Sequence, residues 1–125
     1  MLTARTVAEQ WAEIVDFYEE IHPAHRRKPM TVLVAAVAET GVKNGVWPSH
    51  SHFDLTVLAH YVKRPFVIRP ASLTAVYWHE VDKFQLHFLG IQGVSHDTKW
   101  CELTEAEATL RYQFRQMREA EARAI

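Results

Sequence analysis

The feature that most constrains the fold is a run of seven consecutive apolar residues, Val32 to Ala38. Pro29 precedes the run and Gly41 follows it, a placement typical of a helix start and a helix end. The alanines within the run favour a helix over a short buried strand. The sequence therefore predicts a helix over 31–40 that is buried on all sides and lies at the centre of the fold.

Helical spacing of apolar residues predicts a further helix at each end of the chain. The first covers 6–21, where Thr6 and Glu9 fit a capping box, and the last starts at Thr104, which forms the same pattern with Glu107. A short helix is predicted over 54–62, with Asp54 as its cap. Alternating or β-branched segments predict strands over 66–69, 73–80, 84–88 and 99–103, with loops over 42–52 and 90–97. The resulting class is α+β, with helices packed on a small, mainly antiparallel sheet.

Length and composition narrow the class of protein. The chain has 125 residues, which favours one domain. Its net charge of −1 argues against a protein that mainly binds nucleic acid. The N-terminus does not resemble a signal peptide, and the longest apolar run is far shorter than the ~20 residues needed to cross a bilayer. With Cys101 as its single cysteine, the chain forms no internal disulfide, so a reduced cytoplasmic setting is expected.

A histidine cluster allows a metal site as one alternative. His50, His52 and Asp54 alternate along the chain, and neutral imidazoles with a carboxylate are zinc ligands. The other interpretation is a polar loop that ends in the Asp54 helix cap, and under this interpretation no cofactor is bound. The residues alone leave both open.

A second candidate site combines the start of the buried helix with a distant histidine. His96 is predicted in a loop after an apolar strand, beside Asp97, with Trp100 just beyond. A nucleophile at a helix start is activated by unpaired amides and the helix dipole, and a histidine can transfer its proton. Thr31 is the residue at that helix start, where its hydroxyl can also serve as a simple N-cap.

Residues 28–103 resemble an ovarian-tumour-type (OTU) cysteine protease domain, in the compact form of its small viral members. Residues 29–41 are similar to the nucleophile helix of that family. Trp47 with 53–59 and 64–68 resembles its middle block of tryptophan loop, short helix and strand. Residues 84–90, leading to His96, resemble the strand and loop that present its catalytic histidine. Thr31 or Val32 stands where the family has its cysteine, and Cys101 lies in the last strand instead.

The resemblance implies a papain-like arrangement in which Thr31, His96 and Asp97 occupy catalytic positions without the catalytic cysteine. It divides the single domain into an N-terminal helix and basic connection (1–27), the core (28–103) and a C-terminal helix (104–125). The implied function is that of a catalytically degenerate domain that binds a protein partner, of ubiquitin-like type by analogy. Its partner-binding residues would be Trp47, His50, His52, His96 and Trp100.

Two alternatives remain at this point. The first is a small hydrolase that uses Thr31 with His96, or a zinc ion at His50, His52 and Asp54. The second is an interaction protein of the kind that phages and mobile elements encode, with no catalytic ancestry. Its exposed C-terminal helix would then take part in an interface.

Overall fold

The computed structural model describes residues 5–20, 28–51, 53–61, 70–90 and 96–124 of the chain. Within these ranges the backbone forms three helices and one five-stranded sheet. In chain order the elements are α1 (Val7–Glu20), α2 (Lys28–Asn44), β1 (Trp47–Ser51), β2 (Asp54–Leu58), β3 (Ser72–Trp78), β4 (Lys83–Leu89), β5 (His96–Cys101) and α3 (Leu103–Ala124). The α+β class is confirmed, and every pairing in the sheet is antiparallel.

Helix α1 begins at the capping box that the sequence predicts. The backbone N–H of Glu9 donates to the Thr6 hydroxyl, and the Thr6 N–H donates to the Glu9 carboxylate, both at 3.1 Å. These bonds satisfy N–H groups that have no acceptor within the helix. The apolar face buries Trp11, Ile14 and Tyr18.

Helix α2 is longer than the predicted segment 31–40 and passes through Gly41. A Cβ at Gly41 would lie 2.3 Å from Cζ2 of Trp11, so the missing side chain makes room for the indole ring of α1. The helix ends at Asn44, and the next residue, Gly45, has a left-handed φ of 66°. The N–H of Val46 donates to the Gly41 carbonyl and that of Gly45 to the Val42 carbonyl, which closes a Schellman-type end.

The expectation that α2 is buried on all sides is wrong. Leu33, Val34 and Val37 are fully buried, but Val32 is 41 % exposed and Ala35 is exposed as well. Helix α2 lies between α1 and α3 and contacts β3 of the sheet, which leaves one side of it in solvent.

Two expectations for the middle of the chain are also wrong. The predicted loop over 42–52 contains β1, and the predicted helix over 54–62 is β2. Burial alternates along β2, where Leu55 and Val57 are fully buried between half-buried neighbours. Because β2 is hydrogen-bonded to a strand on each side, the pairing decides a conformation that this short segment leaves ambiguous.

The remaining strands follow the predictions more closely. β3 and β4 form an antiparallel hairpin, and Asp82 adopts a left-handed φ of 51° in its turn. β5 begins at His96, earlier than the predicted strand over 99–103, so His96 and Asp97 are strand residues. The predicted strand over 66–69 lies outside the described residues.

Helix α3 starts one residue before the predicted start. The N–H of Ala106 donates to the Glu102 carbonyl, so Thr104 lies inside the first turn and is not its cap. The helix buries Ala106, Leu110, Phe114 and Met117. None of the described helices is both long and apolar enough to span a membrane.

The helices cover one side of the sheet. The buried strand residues all lie on this side, namely Leu55, Val57, Leu73, Ala75, Phe84, Leu86 and Cys101. α1 contacts β1, and α3 contacts β4, around a core that includes Trp11, Leu33, Leu110 and Phe114. The strand residues that alternate with the buried ones form the opposite side, which we call the outer face.

Candidate functional site

Thr31 lies in the first turn of α2 as its fourth residue. Its hydroxyl donates to the backbone carbonyl of Tyr18 in α1 at 3.1 Å. Because α2 begins at Lys28, the role of Thr31 as the N-cap of a helix starting at 31 is wrong. The hydroxyl instead connects the start of α2 with the end of α1.

The sheet does not bring Thr31 and His96 together. The start of α2 lies near the last residue of β5, because Pro29 shares a groove with Phe84, and Phe84 pairs with Cys101. The backbone of His96 is at the other end of β5, paired with Leu89. Six strand residues span about 17 Å, so the two candidate catalytic positions lie toward opposite ends of the sheet.

Asp97 follows His96 on β5 and pairs with Phe88. It is exposed and lines a small groove between the sheet and α3, together with Lys99 and Gln113. This position is on the helix side of the sheet, in the same alternating set as buried Cys101.

The candidate zinc ligands do not share one face of the sheet. His50 pairs with buried Leu55 and therefore lies on the helix side, whereas Asp54 alternates with Leu55 and belongs to the other side. His52 lies outside the described residues. Among the residues that are described, no group of three His, Cys, Asp or Glu side chains could hold a metal ion.

The predicted partner-binding residues are divided between the two sides of the molecule. His50 stacks on Phe17 of α1, with ring centroids 3.6 Å apart, in a polar groove that Arg5, Glu13 and Asp16 also line. Trp47 and Trp100 lie on the outer face, on the strands at its two edges. The described residues therefore do not assemble these side chains into one cleft.

The outer face carries cross-strand rows that can be read from the strand register. One row contains apolar side chains and a serine, Trp47, Leu58, Ser72 and Leu89. The next is a row of hydroxyl and imidazole side chains, Ser49, Thr56, Thr74, His87 and Thr98. The third row includes Val76, Gln85 and Trp100, and Trp78 and Lys83 continue beyond it.

Val76, Trp78, Gln85 and Trp100 form what we call the tryptophan patch. The indole N–H of Trp78 donates to the Gln85 side-chain oxygen at 3.0 Å, which fixes the ring across β4. The Trp78 and Trp100 ring centroids are 6.3 Å apart, yet the two residues remain 43 % and 49 % exposed. Two large aromatic rings are thus held in place with much of their surface in solvent.

Sequence reasoning identified Trp100 but missed Trp78. The signal for Trp78 was the two-residue period of β3, in which Leu73, Ala75 and Tyr77 point to the helices and the residue after Tyr77 must point outward. What no local pattern shows is that Trp78 and Trp100 meet, because only the register of β3, β4 and β5 brings them together.

Tyr18 and Cys101 are titratable residues buried within the described part of the chain. The hydroxyl of Tyr18 donates to the Phe53 carbonyl at 3.1 Å, and burial, with a smaller effect of the Asp54 charge, raises its pKa well above the usual range. Burial also raises the pKa of the Cys101 thiol, which the charge of Glu105 raises further. A thiol held protonated in this way is a poor nucleophile.

In comparisons with protein-family models, with curated proteins and with solved structures, nothing matches this chain.

Proposed function

We propose that this chain is a non-catalytic domain that binds a protein partner through the outer face of its sheet. The observation that carries the proposal is the tryptophan patch, where Trp78 and Trp100 are fixed side by side and still about half exposed. Tryptophan is enriched among the residues that contribute most to protein–protein binding.

The chemistry of the outer face favours a protein over a nucleic acid. Apart from the imidazole of His87, the charged residues on its described part are Asp54 and Lys83. Binding to a phosphate backbone requires several cations, whereas the centre of a protein interface is poor in charges and rich in aromatic and aliphatic side chains.

The positions of Thr31 and His96 support a function without catalysis. The Thr31 hydroxyl donates to a backbone carbonyl, and the start of α2 lies toward the opposite end of the sheet from His96. A nucleophile and its base must lie within hydrogen-bond reach, directly or through one water.

The class of partner comes from the resemblance to OTU domains. We propose a papain-like ancestry with loss of catalysis, a cytoplasmic location and a ubiquitin-like protein as the first partner to test. These proposals rest on the order of the similar segments in residues 28–103, although the segment over 53–59 contains strand β2 and not the short helix of that family. The exposed tryptophan patch offers a surface for such a partner.

The direct test is a titration of the ¹⁵N-labelled chain with ubiquitin, followed by NMR. The chain has four tryptophans, and the indole N–H of buried Trp11 donates to the Val46 carbonyl, which makes it an internal control. Binding at the outer face should shift the indole signals of Trp78 and Trp100 and leave that of Trp11 unchanged. Unchanged spectra up to about 1 mM ubiquitin would exclude this partner.

A stability measurement tests the binding role without knowledge of the partner. If Trp78 and Trp100 serve binding, replacing each by threonine should cost at most about 1.5 kcal/mol, mainly from the lost contact between the rings. Threonine keeps the preference for a strand. A loss above about 3 kcal/mol in urea denaturation would be the loss expected of core aromatics and would contradict the proposal.

A further inference from the structure

We propose that the partner seated on the outer face is a second copy of this chain, in a twofold dimer whose sheets pack face to face. This inference rests on the proposed function, because it names the occupant of the same surface. Sheets that pack in this way align their strands within about 30°, with their facing side chains interdigitated. A twofold interface requires a surface that is complementary to itself.

The strand order provides that complementarity. With a twofold axis along the central strand β3, β2 of one copy faces β4 of the other, and β1 faces β5. Leu58 of β2 and Leu89 of β4 lie in the same row, both paired with Ser72, so they meet each other across the interface. Val76 lies on the axis strand and meets its own copy, and so does Trp78.

The charges of the outer face are arranged for the same pairing. Asp54 is on β2 and Lys83 is on β4, at the end of the sheet where the β3–β4 turn lies. The axis along β3 brings each Asp54 toward the strand that carries Lys83 and Gln85 in the other copy. Since Leu55 pairs with Ala75 and Val76 with Gln85, each Asp54 faces Gln85 of the other copy, and Lys83 lies two residues, about 7 Å, further along β4. The long lysine side chain spans that distance, and no like charges of the described strands are opposed.

The size of the face indicates a weak dimer. Five strands and about five residues along each cover roughly 24 by 17 Å, a planar area of about 400 Å². This is half of the about 800 Å² that a standard interface buries on each partner, and interfaces below that size belong to weak or transient complexes. We therefore expect an association that becomes visible only at high protein concentration.

The first experiment is sedimentation equilibrium of the full chain over a concentration range that extends to about 500 µM. The proposal expects a mass that rises from one chain to two. Val76→Glu places two carboxylates against each other on the axis and should raise the dissociation constant at least about 100-fold. Val42→Glu is the matched control, because Val42 is 37 % exposed on α2, away from the sheet, and its dimer should be unchanged.

A charge exchange tests the orientation of the two copies. Asp54→Lys or Lys83→Glu alone should weaken the dimer several-fold, because each single change brings like charges within reach of each other. The double variant should recover most of the affinity. Far-UV circular dichroism and thermal melts establish that each variant is folded before its mass is interpreted.

The outcomes separate this inference from the proposed function. A wild-type chain that stays monomeric at the highest concentration overturns the dimer, and so does a dimer that Val76→Glu leaves intact. If a monomeric wild type still binds ubiquitin with shifts at Trp78 and Trp100, the face serves a different protein and the proposed function stands. If neither self-association nor ubiquitin binding involves the outer face, the dimer is overturned and ubiquitin is excluded as the partner.

Discussion

Gly41 sets the distance between α1 and α2. The indole ring of Trp11 lies where a side chain at position 41 would be, and it is anchored there because its N–H donates to the Val46 carbonyl at 3.0 Å. The ring is 1 % exposed and has a tilted contact with Phe114, so it has little room to shift. A glycine that reads as a helix end in the sequence is therefore a packing residue in the structure.

We predict that Gly41→Ala destabilises the fold even though alanine is the better helix former. The added methyl group overlaps the Trp11 ring, and overpacking of this kind costs about 1–3 kcal/mol. The helix preference returns at most about 1 kcal/mol. The free energy of unfolding in urea measures the net effect.

Ala35→Gly is the matched control for Gly41→Ala, since Ala35 is an exposed residue of the same helix. It should cost only the helix preference, about 1 kcal/mol. If Gly41→Ala raised the stability, the Trp11 ring would have to be free to move, which would contradict the close approach of the two helices.

We predict that the capping box of Glu9 at the start of α1 makes the stability of the fold depend on pH. Its hydrogen bonds with the Thr6 hydroxyl and backbone lower its pKa from the ordinary 4.5. A pKa that is lower in the folded state stabilises the fold above pH 4.5, and this contribution disappears as the pH falls through the folded pKa. The stability difference between wild type and Glu9→Gln, which keeps a capping side chain, should therefore shrink on acidification, as urea midpoints at neutral and acidic pH would show. A difference independent of pH would contradict the role of the charge.

At the scale of elements, the type of a segment could be predicted where its apolar residues repeat clearly over several turns. In a short segment the same residues fit both a helix and a strand. α1 has an apolar face over four turns and a capping box, so its type and start were predicted. In the segment 54–59, by contrast, the apolar residues Leu55, Leu58 and Ala59 fit a helix, whereas Leu55 with Val57 fits the strand β2 that forms. Its neighbours β1 and β3 provide the hydrogen bonds that decide between the two, and no local pattern contains that information.

We predict that the fold loses stability in alkali because of Tyr77 in the β3–β4 hairpin. Burial, and a hydrogen bond of 2.5 Å from the Tyr77 hydroxyl to the Asp82 carboxylate, raise the pKa of Tyr77 to about 12. A tyrosine whose folded pKa exceeds its unfolded value of 10 stabilises the fold below pH 10. That contribution is lost as the pH rises through the folded pKa, between pH 10 and about 12.

Asp82→Asn tests the cause of this shift. Asparagine tolerates the left-handed φ of position 82, so the turn is kept while the negative charge is removed. The pKa of Tyr77 should fall but stay above 10, because burial is its largest cause. Ultraviolet titration of the phenolate measures it, with Tyr77→Phe to identify the signal. An unchanged pKa would assign the whole shift to burial.

At the scale of the whole molecule, the class of the fold was predictable and the location of the candidate site was not. The order of helices and strands already indicated helices on an antiparallel sheet. Trp78 and Trp100, however, are 22 positions apart and become neighbours only through two strand pairings. His50 and Asp54 show the converse, since they are close in sequence and the alternation of a hairpin places them on opposite sides.

The division of the chain into a core over 28–103 and added segments can be tested by removing α1. Trp11, Ile14 and Tyr18 of this helix are each at most 3 % exposed. Burial of side chains of this size contributes about 1.5–3 kcal/mol each, and a whole domain is stable by only about 5–15 kcal/mol. We therefore predict that residues 28–125 alone show no cooperative thermal transition.

Adding the missing helix as a separate peptide shows whether the 28–125 fragment fails to fold because it lacks α1 or for another reason. A peptide of residues 1–27 added to the 28–125 fragment should restore a cooperative transition, and the same peptide with Trp11→Ala and Tyr18→Ala should not. If the fragment unfolds cooperatively by itself, α1 is an addition to an independent core, as the resemblance implies. If the fragment requires the peptide, α1 and the rest of the chain form one folding unit. The structural reason is that the side chains of Gln10 and Trp11 donate to backbone carbonyls of Pro48 and Val46, in and next to β1, and so position that strand. The outer face would then depend on a helix on the opposite side of the sheet.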